Sequence, residues 1–307
     1  MLFSDVSSLL VRSKDSWENT YLQKFTRELN YFLEKDYDNL MHNQWDFIEG
    51  TKIRLTMSDN NPDNEVINHP DYKGESMLWW GERTTQEWNN VFASSFKIIK
   101  TINYDFFMEL QEMIQKIVPM KTARDVHNSC SYKDCVGTLY LWYTIETQYP
   151  EFHIIEALIH ESSHNKMNLI VQLQPLHNNN YNQNYYSPYR PDARPMHWVL
   201  LWVHALVPAV YVLLQAIEKG IMIDTWWQEK VVLYHIKNKL GLNVINKFLE
   251  TTEIWSILVD DISIVLKKCD VMIQKLNLLQ ELDMIEIQRR AKIHFLDVRH
   301  KYPKVKY

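Results

Sequence analysis

Two histidines four residues apart, with a glutamate beside the first, stand in the stretch Glu156-Ala-Leu-Ile-His160-Glu161-Ser-Ser-His164-Asn-Lys-Met-Asn168. Residues i and i+4 of a helix lie one above the other on the same face. His160 and His164 can therefore chelate one ion, while Glu161 stays close to whatever that ion binds. Leu158, Ile159, Leu169 and Ile170 supply apolar flanks. Two His and two Glu in so apolar a segment are expensive to bury without a job. The alternative is a surface helix with two solvated histidines, since the same pattern also occurs in helices that bind nothing.

Two imidazoles leave a metal site incomplete, so a third protein ligand is needed. The spacing of one large group of zinc proteases requires glycine at position 167 and histidine at position 170, where this chain has Met167 and Ile170. Another common arrangement takes a glutamate from a following helix. Between Asn165 and Ile217, however, there is no Glu and only one Asp, Asp192, and the first Glu is Glu218. His204, in the long apolar stretch, is the favoured third ligand, because an unpaired imidazole costs most deep in an apolar run. Glu156, one turn before His160, and His197, close behind Pro195, are the other candidates. For His204 itself the alternative is a core histidine bonded to a backbone carbonyl.

The segment Ser187-Pro-Tyr-Arg-Pro-Asp-Ala-Arg-Pro195 has three prolines in nine residues, a stiffness that suits holding Arg190, Asp192 and Arg194 in fixed positions. With the histidine motif before it and the apolar helix carrying His204 after it, residues 130–220 resemble the HExxH-motif family of bacterial peptide-modifying enzymes. The resemblance implies an oxygenase dependent on iron(II) and 2-oxoglutarate that hydroxylates the β-carbon of a residue in a ribosomally made precursor peptide. Three neutral imidazoles leave coordination positions for the keto acid and dioxygen. Arg194 first, or Arg190 second, would grip the distal carboxylate of 2-oxoglutarate with its planar fork; an ion pair with Asp192 is the alternative. Glu161 would then orient a ligand or water rather than act as a hydrolytic base. Where small residues usually follow the Arg-Pro of that family, this chain has Trp198 and Trp202. The rival readings are a zinc metallopeptidase with Glu161 as general base and a non-catalytic helical binding protein whose histidines are structural.

The elements that must position these groups are mostly helical. Apolar residues from Trp17 through Tyr21, Phe25, Leu29, Phe32 and Leu33 to Leu40 and Trp45 recur three and four apart, which predicts one or two amphipathic helices over 13–48. Ile53 to Gly81 is turn-rich and reads as a loop. Helical spacing returns from Thr84 to Val118, where Pro119 closes it. Val136 to Thr144 is the best strand, rich in β-branched and aromatic residues, and belongs to a small sheet beside the metal helix. Residues 177–186 form a polar loop. Met196 to Ile217 is apolar for about 22 residues, long enough to cross a bilayer, but His197, His204, Pro208 and Gln215 mark it as a buried helix with functional polar positions. Helical patterns run from Thr225 to about His300, broken near Gly241-Leu-Asn243. The expected fold class is mainly α, a multi-helix domain with a small β element next to the metal-binding helix. Residues 1–125 form an N-terminal helical region, 126–220 the motif core and 221–307 a C-terminal helical region of one compact domain.

Composition narrows the partners. Of the 307 residues 46% are hydrophobic and only 6 are Gly, which disfavours glycine-rich nucleotide-binding loops. A net charge of −5, with no basic cluster interleaved with aromatics, argues against nucleic acid. Cys130, Cys135 and Cys269 form neither a disulfide framework nor paired metal ligands, and Met1-Leu-Phe-Ser-Asp lacks the basic start of an export signal. The expectation is a cytoplasmic protein with a precursor peptide as partner and no membrane. Its oligomeric state, its target residue and the choice of iron over zinc are not set by spacing alone.

Overall fold

A computed structural model describes residues 46–56, 78–79, 84–121, 128–132, 136–142, 149–173, 175–302 and 305. The helices expected over 13–48 lie outside the described residues, apart from the last three positions. The described chain is mainly helical with a few short strands, and it falls into two compact units, one up to Leu169 and one from Ile170.

In the first unit, β1 (Asp46–Phe47), β2 (Arg54–Leu55) and β3 (Leu78–Trp79) precede α1 (Thr85–Ile102) and α2 (Tyr104–Met113). The expected loop over 53–81 thus carries a strand at each end, too short to show a two-residue period in the sequence. Thr84 and Glu87 form a reciprocal capping box that starts α1, an arrangement worth about 1 kcal/mol. Trp88, Phe92, Phe96 and Ile99 recur at helical spacing and are all buried. Asn103 breaks the helical run and restarts it, its side chain accepting the Phe106 N–H at 2.9 Å.

The helix expected to reach Val118 ends earlier. After Met113 the chain turns into β4 (Lys116–Lys121), so Pro119 lies inside a strand instead of closing a helix. Ile117 and Val118 are fully buried there, and parallel pairing with β6 (Thr138–Trp142) overrides the local helical spacing. The sheet order is β1-β2-β4-β6-β5, where β5 is Asn128–Cys130, and β3 pairs with β4. β5 runs antiparallel to β6. Gly137, at φ +86°, supplies the turn into β6. Leu139, Tyr140 and Leu141 are consecutive and all buried, so both faces of β6 are covered.

α3 (Pro150–Leu173) carries the histidine motif. Proline at its first position and Glu151 in its first turn favour initiation there. Ile154, Ile155, Leu158 and Ile159 bury one side. Lys166 and Glu109 form a buried ion pair that ties α3 to α2.

In the second unit, β7 (Asn184–Tyr185) lies inside the expected polar loop and pairs antiparallel with β8 (Arg194–Pro195), Tyr185 opposite Arg194. α4 (Met196–Glu218) is long and apolar enough to cross a membrane by length and composition. Here Val199, Leu200, Val203, Leu206 and Val210 are among its buried residues. It packs on α5 (Thr225–Phe248) and α6 (Glu253–Lys275); α7 (Leu278–Glu281), α8 (Met284–Ala291) and α9 (Ile293–Lys301) complete the unit. The break expected near Gly241 does not occur, because α5 is continuous through it. A Cβ on Gly241 would lie 2.6 Å from Val203 Cγ2 and 3.2 Å from the Tyr189 hydroxyl. The glycine serves close packing rather than a helix end.

Candidate metal centre

One turn of α3 brings the two motif histidines together. Nε2 of His160 lies 2.9 Å from Nε2 of His164, and the ring centroids are 4.5 Å apart at an interplanar angle of 89°. That separation suits a hydrogen bond between one protonated and one bare nitrogen. It also suits two ligands on neighbouring vertices of an ion: at about 2.0–2.1 Å from the metal, nitrogens at right angles are ~2.9 Å apart, against ~3.4 Å in a tetrahedron.

Both rings keep some surface accessible, yet burial pushes the His160 imidazole down to about 4. His164 is pushed well below the usual imidazole range, first by burial and then by His160. Neutral imidazoles are the metal-binding form. Nδ1 of His164 is buried with no hydrogen-bond partner among the described residues, so packing rather than a second hydrogen bond orients that ring. The chemistry of the donor pair fits a transition-metal ion.

Glu161 faces β5. Its two carboxylate oxygens accept hydrogen bonds from Ser129 Oγ at 2.7 Å and Ser131 Oγ at 2.8 Å. The side chain is buried, and burial raises its carboxyl to about 7 against the pull of both hydroxyls. The sequence predicts a small β element beside this helix but does not single out the two serines. Their i, i+2 spacing is the signal that could have found them, since alternate residues of a strand share a face.

The other expected site residues lie in the second unit or on the flank of the motif. Arg194 Nε is 2.6 Å from Asp192 Oδ2, and the more exposed Arg190 reaches Asp192 Oδ1 at 4.0 Å. Arg194 is thus fixed by the β7–β8 pairing and already engaged by a carboxylate. His204 is buried within α4. Glu156, one turn before His160 on α3, is half-buried, as is His197 in the first turn of α4. Among the described residues no group of three or more His, Cys, Asp or Glu side chains gathers closely enough to hold a metal ion. The structure therefore brings together His160 with His164, and Arg190 and Arg194 with Asp192.

No family model matches the chain, and no curated protein matches it.

Proposed function

We propose that this chain is an iron(II)- and 2-oxoglutarate-dependent oxygenase that hydroxylates the β-carbon of a residue in a ribosomally made peptide. The observation that carries the reading is the facing of His160 and His164 Nε2 across 2.9 Å by two neutral imidazoles. The sequence resemblance over 130–220 supplies the reaction class. His160 and His164 would hold the ion. Bound iron(II) supplies the redox chemistry: dioxygen and 2-oxoglutarate give succinate and carbon dioxide, with one oxygen atom entering the succinate and the other the substrate C–H bond.

The residues of the chain bind and orient. His160 and His164, held neutral by their surroundings, present lone pairs without first losing protons at neutral pH. Glu161 positions α3 against β5, and with both oxygens occupied by serine hydroxyls it is poorly disposed to take a proton from water. Arg194 is the proposed partner of the distal carboxylate of 2-oxoglutarate, in competition with Asp192, which it pairs with here.

The zinc peptidase reading is favoured by one observation, the carboxyl of Glu161 at about 7, where a general base works best at neutral pH. Incubation of the metal-loaded protein with 2-oxoglutarate and candidate peptides, under air and under argon, separates the two. Succinate formed only under air, together with a peptide heavier by one oxygen atom, supports the oxygenase. Peptide cleavage that is indifferent to oxygen and keto acid overturns it.

A further inference from the structure

Three apolar side chains on α6 are left facing water. Ile257, Ile264 and Val271 are 40%, 51% and 64% exposed, and they follow one another at intervals of seven residues. Seven residues make two helical turns with a drift of only about 20°, so the three form one stripe along the helix. Trp255, Leu258, Ile262, Val265, Cys269 and Ile273 are buried on the opposite side of α6, which packs on α4 and α5. Exposed aliphatic residues scattered singly are ordinary. Three at a fixed repeat on the solvent side of one helix make a seam.

The charges beside the stripe are ordered as well. Asp260 and Lys267, both exposed, lie on one flank of it, Asp260 one turn before Ile264 and Lys267 one turn after. They stand two turns from each other, about 10.5 Å along the axis, too far to pair. Asp261 and Lys268 repeat the spacing on the other flank. Negative charge therefore borders the first half of the stripe and positive charge the second, with Ile264 at the midpoint.

We propose that α6 pairs with α6 of a second copy of this chain, antiparallel about a two-fold axis at Ile264. In that register Ile264 meets its own counterpart, and Ile257 meets Val271 of the second copy at either end. Antiparallel helices related by such an axis turn the same flank toward each other. Asp260 then comes level with Lys267 of the second copy, to within about 1.5 Å along the axis, and Asp261 likewise with Lys268. A parallel pair would set Asp260 beside Asp261 of the second copy, and Lys267 beside Lys268, which is repulsive. The interface is isologous, the same surface serving both copies. The drift of the stripe is taken up by a crossing angle of about 20°. One helix pair buries less than the roughly 1,600 Å² of a standard interface, so the dimer forms at about micromolar concentrations and above. The stripe shares no residue with the function proposed above.

Sedimentation equilibrium of the full chain at low ionic strength, from about one to several hundred micromolar, gives the test. The weight-average mass should rise from that of one chain toward that of two. Ile264→Asp, a change at an exposed position of the single chain, should weaken association by about a hundredfold while the melting temperature of the dilute protein is unchanged. Asp260→Lys and Lys267→Asp should each weaken self-association by about tenfold, because each sets like charges together twice across the two-fold axis. Mixing these two variants one to one should restore a mixed dimer, since two cations of one chain then face two anions of the other. A protein that stays monomeric throughout assigns the stripe to some other occupant and overturns the proposal. A dimer indifferent to all three substitutions, or single-variant losses that the mixture fails to recover, overturns it equally.

Discussion

Ser129 Oγ donates to Glu161 Oε1 across 2.7 Å, and with Ser131 on the other oxygen it fastens the motif glutamate to β5. Both hydroxyls lower a carboxyl that burial has raised to about 7. Their joint removal in Ser129→Ala/Ser131→Ala moves that carboxyl further up, by loss of the bonds that favour its charged form. Infrared titration of the carboxyl band measures the shift, and an unmoved or lowered midpoint contradicts this account of Glu161. For catalysis, Glu161→Gln should leave partial, oxygen-dependent succinate formation, because an orienting residue is dispensable where a hydrolytic base is not.

The same carboxyl gives a stability signature in the metal-free protein. Its folded value, about 7, is above the ordinary glutamate value of 4.5, so its favourable contribution is complete below pH 4.5 and is lost as pH rises toward 7. His160 acts in the opposite sense: with a folded value near 4 against 6.5, it adds stability as pH rises through that interval. Comparing wild type with Glu161→Gln isolates the carboxyl. The wild type should lose up to about 3 kcal/mol relative to the variant between pH 4.5 and 7, then hold a constant difference above that range. Denaturant unfolding at a series of pH values checks it, and a flat difference contradicts it.

Arg194 and Asp192 make a direct test of the keto-acid site. If Arg194 takes the distal carboxylate of 2-oxoglutarate, Asp192 competes for the same guanidinium across their 2.6 Å contact. Arg194→Ala should raise the 2-oxoglutarate requirement by about one to a few orders of magnitude, since removing one partner of a desolvated charge pair costs a few kcal/mol. Arg194→Lys should recover only part of this, because an ammonium lacks the bidentate fork. Asp192→Ala should leave binding unchanged or tighter. An unaltered titration in Arg194→Ala, with a weakened one in Arg190→Ala, transfers the role to Arg190.

Gly241 fixes how closely α5 meets α4. Gly241→Ala places a methyl 2.6 Å from Val203 Cγ2, and overpacking of this kind costs about 1–3 kcal/mol. That should appear as a fall in melting temperature with no change in metal content at His160 and His164. Tyr189, whose hydroxyl donates to buried Asn238 at 2.6 Å while its ring stacks on Trp202, adjoins the same contact. Tyr189→Phe should cost a further ~1–3 kcal/mol by stranding the amide oxygen. A variant of Gly241 as stable as wild type means the two helices can separate freely there.

What was readable in the sequence was periodic and long. α4 carries apolar spacing over many turns and β6 a dense β-branched and aromatic run, so both are legible with their approximate limits, whereas α3 is legible around the motif at 156–168 but not at its ends. β4 was missed because Ile117 and Val118 continue the helical spacing of Ile114, and only pairing with β6 makes them a strand. Gly241 was misread as a helix end because local propensity does not report a neighbouring helix pressing on the same backbone. Within the site, the helix repeat alone sufficed to place His160 over His164. The serines that hold Glu161, Ser129 in β5 and Ser131 just beyond it, lie 32 and 30 residues away in sequence; their i, i+2 spacing is visible in the sequence, but the helix they face is not.

The central claim is that His160 and His164 hold the iron of a keto-acid oxygenase. The most direct measurement is the visible absorption of the anaerobic protein with iron(II) as 2-oxoglutarate is added, in wild type and in His164→Ala. A charge-transfer band that develops in wild type with saturable dependence on 2-oxoglutarate, and is absent in His164→Ala while the fold is retained, is the predicted result. A wild type that gives no band, or a His164→Ala variant that gives the same band at the same 2-oxoglutarate concentration, contradicts the claim.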